Sequence, residues 1–183
     1  KELLDITAEM EGHPDNAAPA ILGGFCMALI ENGNVVAERI DIPSQWKAVV
    51  AIPDFELHTE KARAVLPASY VRSDVVHNIG AVSFLMAAFM YNKPEYLKFG
   101  LDDHVHVPYR LGLIPGSEEV IRSSVKAGAY GATISGSGPT IIAFSPSDKA
   151  HLVGESMVST FKHHGITSSY IVLDFDQSGI SAV

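Results

Sequence analysis

The densest group of reactive side chains lies in residues 11–20, which read EGHPDNAAPA. Within them, His13, Asp15 and Asn16 place an imidazole, a carboxylate and an amide inside four residues. These groups can form hydrogen bonds or ion pairs with a small polar ligand. Asp and Asn are also common helix N-caps, and Pro19 suits a first helical turn. Helix capping is therefore the structural alternative to ligand binding, although capping alone does not explain the whole cluster.

A glycine- and serine-rich segment, TISGSGPT at residues 133–140, is the second stretch whose composition suggests chemistry. Its centre, Ser135, Gly136, Ser137 and Gly138, lies between two predicted short strands. Because glycine has no Cβ, backbone N–H groups in such a loop can approach an anion closely. The alternative is a turn that needs glycine only for its geometry. The segment has neither the lysine of a Walker loop nor the strand-to-helix context of a dinucleotide fingerprint.

A third stretch, DDHVH at residues 102–106, contains residue types that bind metals. If it formed a strand, His104 and His106 would point to the same side. No distant Cys or His partner accompanies them at a recognisable spacing, so the sequence argues against a metal site here.

Composition and charge exclude several classes of partner. The chain has 183 residues and a net charge of −8, and it contains no run of Lys or Arg, which argues against nucleic-acid binding. The single cysteine, Cys26, cannot form an internal disulfide, and this indicates a reducing, cytoplasmic location. The most apolar stretch, Ile79–Met90, is shorter than the roughly 20 residues of a membrane span, so a soluble protein without a membrane partner is expected.

The predicted elements change character near a linker, Pro43-Ser44-Gln45. Before it, the sequence predicts a helix over residues 1–11 and a hairpin whose turn, Glu31-Asn32-Gly33-Asn34, contains the Asn-Gly pair typical of positive φ. After it, the predicted order is strand Trp46–Pro53, helices Thr59–Val65, Ser73–Met90 and Pro94–Phe99, a mixed loop Asp102–Pro115, a helix capped by Ser117 and ending at Lys126, strands Gly131–Ser135 and Thr140–Phe144, a helix capped by Ser147 and ending near His163, and strand Ser169–Phe175. This order predicts an α+β fold, a ferredoxin-like split βαβ sandwich with helical insertions.

One predicted helix, Ser73–Met90, carries an apolar stripe. Its spacing predicts a helix that faces the core or another subunit rather than a cofactor. The stripe comprises Val75, Val76, Ile79, Val82, Leu85, Met86 and Phe89.

A series of motifs, in order along nearly the whole chain, resembles the homoserine kinase family of the GHMP kinase superfamily. The motifs are Glu11–Ala20 followed by Gly23-Gly24-Phe25, His58-Thr59 with Ala62-Arg63, Pro108-Tyr109-Arg110 with Leu113-Ile114-Pro115-Gly116, and Gly131–Pro139. The GHPDN and LIPG elements point to homoserine kinases rather than to mevalonate or galactose kinases. The resemblance implies that ATP phosphorylates the hydroxyl of L-homoserine, giving O-phospho-L-homoserine on the route to threonine.

The resemblance also implies roles for individual residues. The substrate residues would be His13, Asp15, Asn16, Thr59, Arg63 and Arg110. Arg63 and Arg110 would hold the substrate carboxylate, which suits the planar guanidinium fork. Asp15 would hold the ammonium group, and Asn16, the one residue given a catalytic role, would contact the reacting hydroxyl. No general base is assigned, because a loose phosphoryl-transfer transition state relies on positioning and charge stabilisation.

The cofactors implied by the resemblance are ATP and Mg²⁺. Ser135, Gly136, Ser137 and Gly138 would lie against the ATP phosphates. An acidic residue on the helix before HPDN would help to hold Mg²⁺. Asp5 is the closest candidate by spacing and Glu9 the second, with a solvated helix face as the alternative for both.

The main phosphate loop of this family, P-x-x-x-G-L-G-S-S-A, does not occur in the 183 residues. The chain is therefore expected to be the carboxy-terminal portion of such a kinase and inactive alone. Residues 1–45 would be the end of the nucleotide-binding domain. Residues 46–183 would be the GHMP kinase C-terminal domain, whose last residues could return to the first domain.

Two other functions stay open from the sequence. The sandwich could be a noncatalytic amino-acid-binding regulatory module, since fold does not determine function, although such a module would not need the SGSGP loop. The chain could also belong to another GHMP kinase that acts on an isoprenoid alcohol, although a second arginine is hard to explain for an uncharged substrate. A homodimer is a further expectation.

Overall fold

The chain forms two compact units in a computed structural model, which describes residues 2–181. The first unit contains the chain up to Ser44 and the tail from Phe175 onward, and the second unit is Gln45–Asp174. The boundary between Ser44 and Gln45, where the chain passes from the first unit to the second, lies within the predicted linker. Each unit has its own hydrophobic cluster.

The second unit is built on a four-stranded antiparallel sheet. Its strands are β3 (Trp46–Pro53), β4 (Gly131–Ile134), β5 (Ile141–Pro146) and β6 (Ser168–Leu173), in the spatial order β4-β5-β3-β6. In this register Val49 of β3 lies opposite Ala143 of β5 and Val172 of β6. The order is that of a split βαβ sandwich, so the predicted α+β fold is confirmed.

Helices pack against both faces of this sheet and fill the long connection after β3. They are α3 (Thr59–Ala64), α4 (Arg72–Met90), α5 (Leu97–Gly100), α6 (Val107–Arg110), α7 (Ser117–Lys126) and α8 (Ala150–His163). Single 3₁₀ turns lie at Pro94–Tyr96 and Leu111–Leu113. The apolar sides of α7 and α8 supply Val120, Val153 and Phe161 to the core, where they join Val49 and Ile141 from the sheet.

Both predicted serine caps are wrong. The N-cap position of α7 is Gly116 at φ +77°, and the Ser117 hydroxyl instead donates to the Leu111 carbonyl. A Cβ at Gly116 would lie 2.5 Å from the His164 ring, so packing as well as φ requires glycine there. Helix α8 begins after Lys149, and the Ser147 hydroxyl donates to the Gln45 carbonyl. The predicted loop 102–115 also contains α6.

Helix α4 differs from its prediction in length and in exposure. It spans 19 residues and is long and apolar enough to cross a membrane by length and composition alone. The argument from the shorter stretch Ile79–Met90 therefore does not hold. Phe89 is buried, but Val75, Val76, Ile79 and Val82 are exposed, so a core position is wrong for that part of the stripe.

The first unit packs two helices against a hairpin. Helices α1 (Glu2–Glu11) and α2 (Ala17–Leu22) bury Leu4, Ala8, Ala17 and Ala18 with Val35 of the hairpin. Strands β1 (Phe25–Glu31) and β2 (Asn34–Ile40) pair antiparallel, which confirms the predicted hairpin. The turn residues Asn32 and Gly33 have φ of 51° and 79°, as a two-residue hairpin turn requires.

The tail of the chain is fixed in the first unit by close backbone contacts. The side-chain amide of Gln177 bonds both the N–H and the carbonyl of Ile42, at 3.1 and 3.0 Å. A Cβ at Gly23 would lie 2.6 Å from the backbone of Gln177 and of Gly179, so only glycine permits this approach.

Candidate functional site

Arg110 is the centre of the polar cluster in the second unit. It ends α6, where it is half-buried, and its Nε donates to the Ala62 carbonyl of α3 at 3.2 Å. Its Nη1 donates to the Gly136 carbonyl at 3.1 Å. Arg110 therefore links α3 to the glycine-serine loop, and a guanidinium group has further N–H donors for a ligand carboxylate.

The loop of Ser135, Gly136, Ser137 and Gly138 is held by two backbone hydrogen bonds. The Ser135 N–H donates to Thr140, and the Gly138 N–H donates to Ser135. Neither bond uses the N–H groups of Gly136 and Ser137, which lie at the tip of the loop. This backbone arrangement is the kind that binds anions.

The two glycines of the loop differ in their surroundings. Both have positive φ, +58° at Gly136 and +84° at Gly138. A Cβ at Gly136 would meet nothing within 4 Å, whereas a Cβ at Gly138 would lie 2.6 Å from the buried Ile114 Cδ1. Packing therefore explains why position 138 is glycine, and only Gly136 has open space beside it for a ligand.

Thr59 and Arg63 lie on α3, which faces the same loop at one point. The hydroxyls of Thr59 and Ser137 are 3.4 Å apart. Arg63 follows Thr59 by four residues and therefore shares its helix face, and both side chains are exposed. The second unit thus brings together Thr59, Arg110 and the loop, with Arg63 one turn further along the helix.

His13, Asp15 and Asn16 form a compact polar group in the first unit, in the turn between α1 and α2. His13 Nδ1 lies against the carboxylate of Asp15, which also accepts the Asn16 N–H at 3.0 Å. Asn16 occupies the N-cap position of α2, yet its side chain makes no capping hydrogen bond. The capping explanation therefore fails for this exposed amide.

The residues proposed for Mg²⁺ lie on α1. Asp5 is half-buried, and its Oδ1 accepts the Val35 N–H at 2.7 Å, which ties α1 to β2. Glu9 is exposed one turn later on the same helix. Mg²⁺ commonly takes one or two carboxylates together with water and substrate phosphates. The second carboxylate oxygen of Asp5 fits that role, in addition to the structural role that the sequence did not indicate.

The stretch 102–106 is not a strand. His106 is the N-cap residue of α6, and His104 stacks instead on His77 of α4, at 3.9 Å between ring centroids. Burial raises the pKa of Asp103, but hydrogen bonds from the Asn78 amide and from three backbone N–H groups outweigh burial and lower it. The sequence does not predict the contact of His77 with this stretch, because His77 precedes Asp102 by 25 residues and no local pattern links the two.

Comparisons with known proteins agree on one superfamily. Residues 95–163 match the family model described as GHMP kinases C terminal. A homoserine kinase of Carboxydothermus hydrogenoformans is 44% identical over 97% of this chain and 58% of its own length, and one of Desulfitobacterium hafniense is 39% identical over 100% of this chain and 62% of its own length. The chain therefore spans about 60% of the length of these curated relatives.

Solved structures give the same result. The crystal structure of homoserine kinase from Cytophaga hutchinsonii matches 91% of this chain and 53% of its own chain, with a TM-score of 0.86 and 33% identity. The L. major mevalonate kinase matches 87% of this chain and 51% of its own, with a TM-score of 0.62 at 15% identity, which is a likeness of fold alone.

Proposed function

Because the chain belongs to the GHMP kinase family, we propose that it is part of a homoserine kinase. The reaction is transfer of the ATP γ-phosphoryl group to the side-chain hydroxyl of L-homoserine, giving O-phospho-L-homoserine and ADP. The substrate oxygen forms the new bond to phosphorus, the bond to the β–γ bridging oxygen breaks, and the hydroxyl proton is released to solvent. Use of ATP with Mg²⁺, a place in threonine biosynthesis and a cytoplasmic location belong to the same proposal.

The observation that carries the proposal is the contact of Arg110 with the glycine-serine loop. A cationic group suited to a carboxylate lies within hydrogen-bond distance of a loop whose tip N–H groups suit a phosphate. An amino-acid substrate that becomes a phosphate ester needs both kinds of recognition. An uncharged alcohol would need only the second.

The proposed roles in the second unit follow from this chemistry. Arg110 and Arg63 bind the substrate carboxylate, with Thr59 beside them. The N–H groups at the tip of the loop stabilise negative charge on the transferred group, which a loose transition state spreads over its oxygens. Because most of the catalysis is positioning and electrostatics, no side chain is assigned as a base.

The proposed roles in the first unit rest on the polar group of α1 and α2. Asp15 binds the substrate ammonium, and its orientation is held by His13 and by the Asn16 N–H. The side-chain amide of Asn16, which makes no capping hydrogen bond, contacts the reacting hydroxyl. Mg²⁺, when bound, neutralises charge on the ATP phosphates, and Asp5 is the residue that we propose to hold it.

The decisive experiment measures phosphoryl transfer by the complete translated protein in which this chain occurs. With ATP and Mg²⁺, ADP release should require L-homoserine, and ³¹P NMR should detect the phosphate ester. L-2-aminobutyrate, which has the same charged groups but no hydroxyl, should inhibit without being phosphorylated. Transfer to mevalonate but not to homoserine would refute the substrate assignment, and homoserine binding without any transfer would favour the regulatory module.

We further propose that the 183 residues alone have little or no activity. The family's main phosphate loop is not among them, and loss of phosphate positioning removes most of the catalysis. The same assay on the isolated chain tests this point. Turnover by the isolated chain comparable with that of the complete protein would contradict it.

A further inference from the structure

Two imidazoles and a carboxylate converge where helix α4 meets the segment between α5 and α6. His77 Nε2 lies 3.0 Å from Asp102 Oδ2, and His104 Nε2 lies 3.7 Å from Asp102 Oδ1. The three candidate ligand atoms are all within 4.8 Å of one another, and no other group of three such side chains occurs among residues 2–181. None of these residues belongs to the proposed kinase site.

The neighbours of these three residues fix the cluster in place. Asn78, next to His77, donates from its amide nitrogen to Asp103 at 2.9 Å and accepts the His104 N–H at 2.8 Å. Asp103, which lies between Asp102 and His104 in the chain, also accepts the Val105 N–H at 2.6 Å. The segment is thus attached to α4 beside the three candidate ligands. The stacked rings of His77 and His104 are nearly parallel, so binding of one ion requires that they turn until both Nε2 lone pairs point to it.

A further carboxylate lies beside one of the imidazoles. Asp74, one turn before His77 on α4, places Oδ1 3.5 Å from Nδ1 of His104. A carboxylate on one ring nitrogen is the usual outer partner of a metal-binding histidine, because it favours the tautomer whose other nitrogen is free to coordinate. In His104 that other nitrogen is Nε2, the atom that faces Asp102.

We propose that His77, Asp102 and His104 form a binding site for a divalent transition-metal ion of the zinc type. Zinc bonds of about 2.0–2.1 Å in a tetrahedron place ligand atoms roughly 3.4 Å apart. The separations of 3.0 Å and 3.7 Å lie on either side of that value, and each histidine faces a different oxygen of Asp102. Two imidazoles and one carboxylate suit Zn²⁺, Co²⁺ or Ni²⁺ rather than Mg²⁺ or Ca²⁺, which prefer oxygen ligands alone. Three protein ligands leave a position for water.

The site is accessible to an ion from solvent. The side chains of His77 and His104 are 38% and 39% exposed, and that of Asp102 is 56% exposed. A cleft of about 310 Å³, lined in part by Asp102, His104 and Arg122, opens beside it. A metal ion here would join α4 to the 102–106 segment.

Calorimetric titration of the metal-free 183-residue chain with ZnCl₂ tests the proposal. One equivalent should bind at this site, and MgCl₂ at the same concentration should not compete. His77→Ala and His104→Ala should each weaken Zn²⁺ binding by more than about 100-fold, beyond the effect of losing an outer partner. His151→Ala is the matched control, since that histidine contacts Tyr170 outside the cluster and should leave the affinity unchanged.

A second measurement does not depend on the variants being folded. In the unaltered chain, Zn²⁺ should shift the imidazole NMR signals of two of the eight histidines. Assignment of the two signals to His77 and His104 supports the site. Absence of Zn²⁺ binding, or shifts confined to other histidines, would overturn the proposal and leave a hydrogen-bonded His–Asp–His cluster.

Discussion

Replacement of Gly136 and of Gly138 by alanine, one at a time, distinguishes two reasons for glycine in this loop. One reason is packing against the core, and the other is close approach of a ligand. Both positions have positive φ, which costs an L-residue about 1–2 kcal/mol. Gly136→Ala should cost only that amount, because its Cβ would enter open space. At Gly138 the new Cβ would also lie 2.6 Å from Ile114 Cδ1 and 3.3 Å from Ile134 Cγ2.

The additional cost at Gly138 comes from a core that cannot easily give way. Ile114 is only 1% exposed, so its end methyl group cannot rotate into solvent. Overpacking of a filled core costs about 1–3 kcal/mol. The total for Gly138→Ala is therefore about 2–5 kcal/mol, against about 1–2 kcal/mol for Gly136→Ala.

Urea unfolding of the 183-residue chain measures this difference directly. Trp46 is the only tryptophan and is 1% exposed in the core of the second unit, so its fluorescence reports on that unit. At a slope of about 2 kcal/mol per molar, the additional 1–3 kcal/mol lowers the urea midpoint of Gly138→Ala by roughly 0.5–1.5 M relative to Gly136→Ala. Equal midpoints for the two variants would refute the packing argument and return Gly138 to the possible ligand contacts.

Three further outcomes are expected. In the complete protein, Arg110→Lys should raise KM for homoserine at least about tenfold, or 1.4 kcal/mol, because lysine keeps the charge but loses the planar fork. A change in KM below about threefold would make Arg110 a structural residue. Asn16→Ala should lower kcat while reducing stability by less than the ~1 kcal/mol of a lost helix cap, since the Asn16 side chain makes no capping hydrogen bond. A larger loss of stability in thermal unfolding, together with a normal kcat, would identify Asn16 as a helix cap. The hydrogen bond and positive charge of His164 lower the pKa of Glu119. The ionised Glu119 carboxylate therefore stabilises the folded chain above the ordinary glutamate pKa, and this stabilisation is lost as pH falls through the lower pKa of the folded state. Glu119→Gln should therefore lower the melting temperature at mildly acidic pH and match the parent chain at strongly acidic pH; a constant difference would exclude this linkage.

The sequence by itself determined the order of the elements and the type of sheet. Strand β3 and the hairpin turn at Asn32-Gly33 were predictable because β-forming residue types and positive-φ residues act on neighbours in the chain. The order of strands and helices after Trp46 was then sufficient to predict the split βαβ sandwich. The motifs that resemble homoserine kinases are likewise contained in short stretches of sequence.

Local patterns failed where a residue had a competing partner elsewhere. Ser117 and Ser147 have the right type for N-caps, but tertiary packing shifted both helix starts and gave their hydroxyls other acceptors. The spacing of the stripe on α4 predicted a face covered by the core or by another subunit, because periodicity identifies an apolar face without saying what covers it. Val75 and Val76 are accordingly exposed.

Only the tertiary structure decided which side chains meet. His77 and Asp102 are 25 residues apart in the chain, and their contact depends on how the 102–106 segment folds back along α4. The two loop glycines look equivalent in the sequence, and the packing of Ile114 against one of them is what distinguishes their roles. Such contacts follow from how the elements pack together, whereas a motif records only the order of residues along the chain.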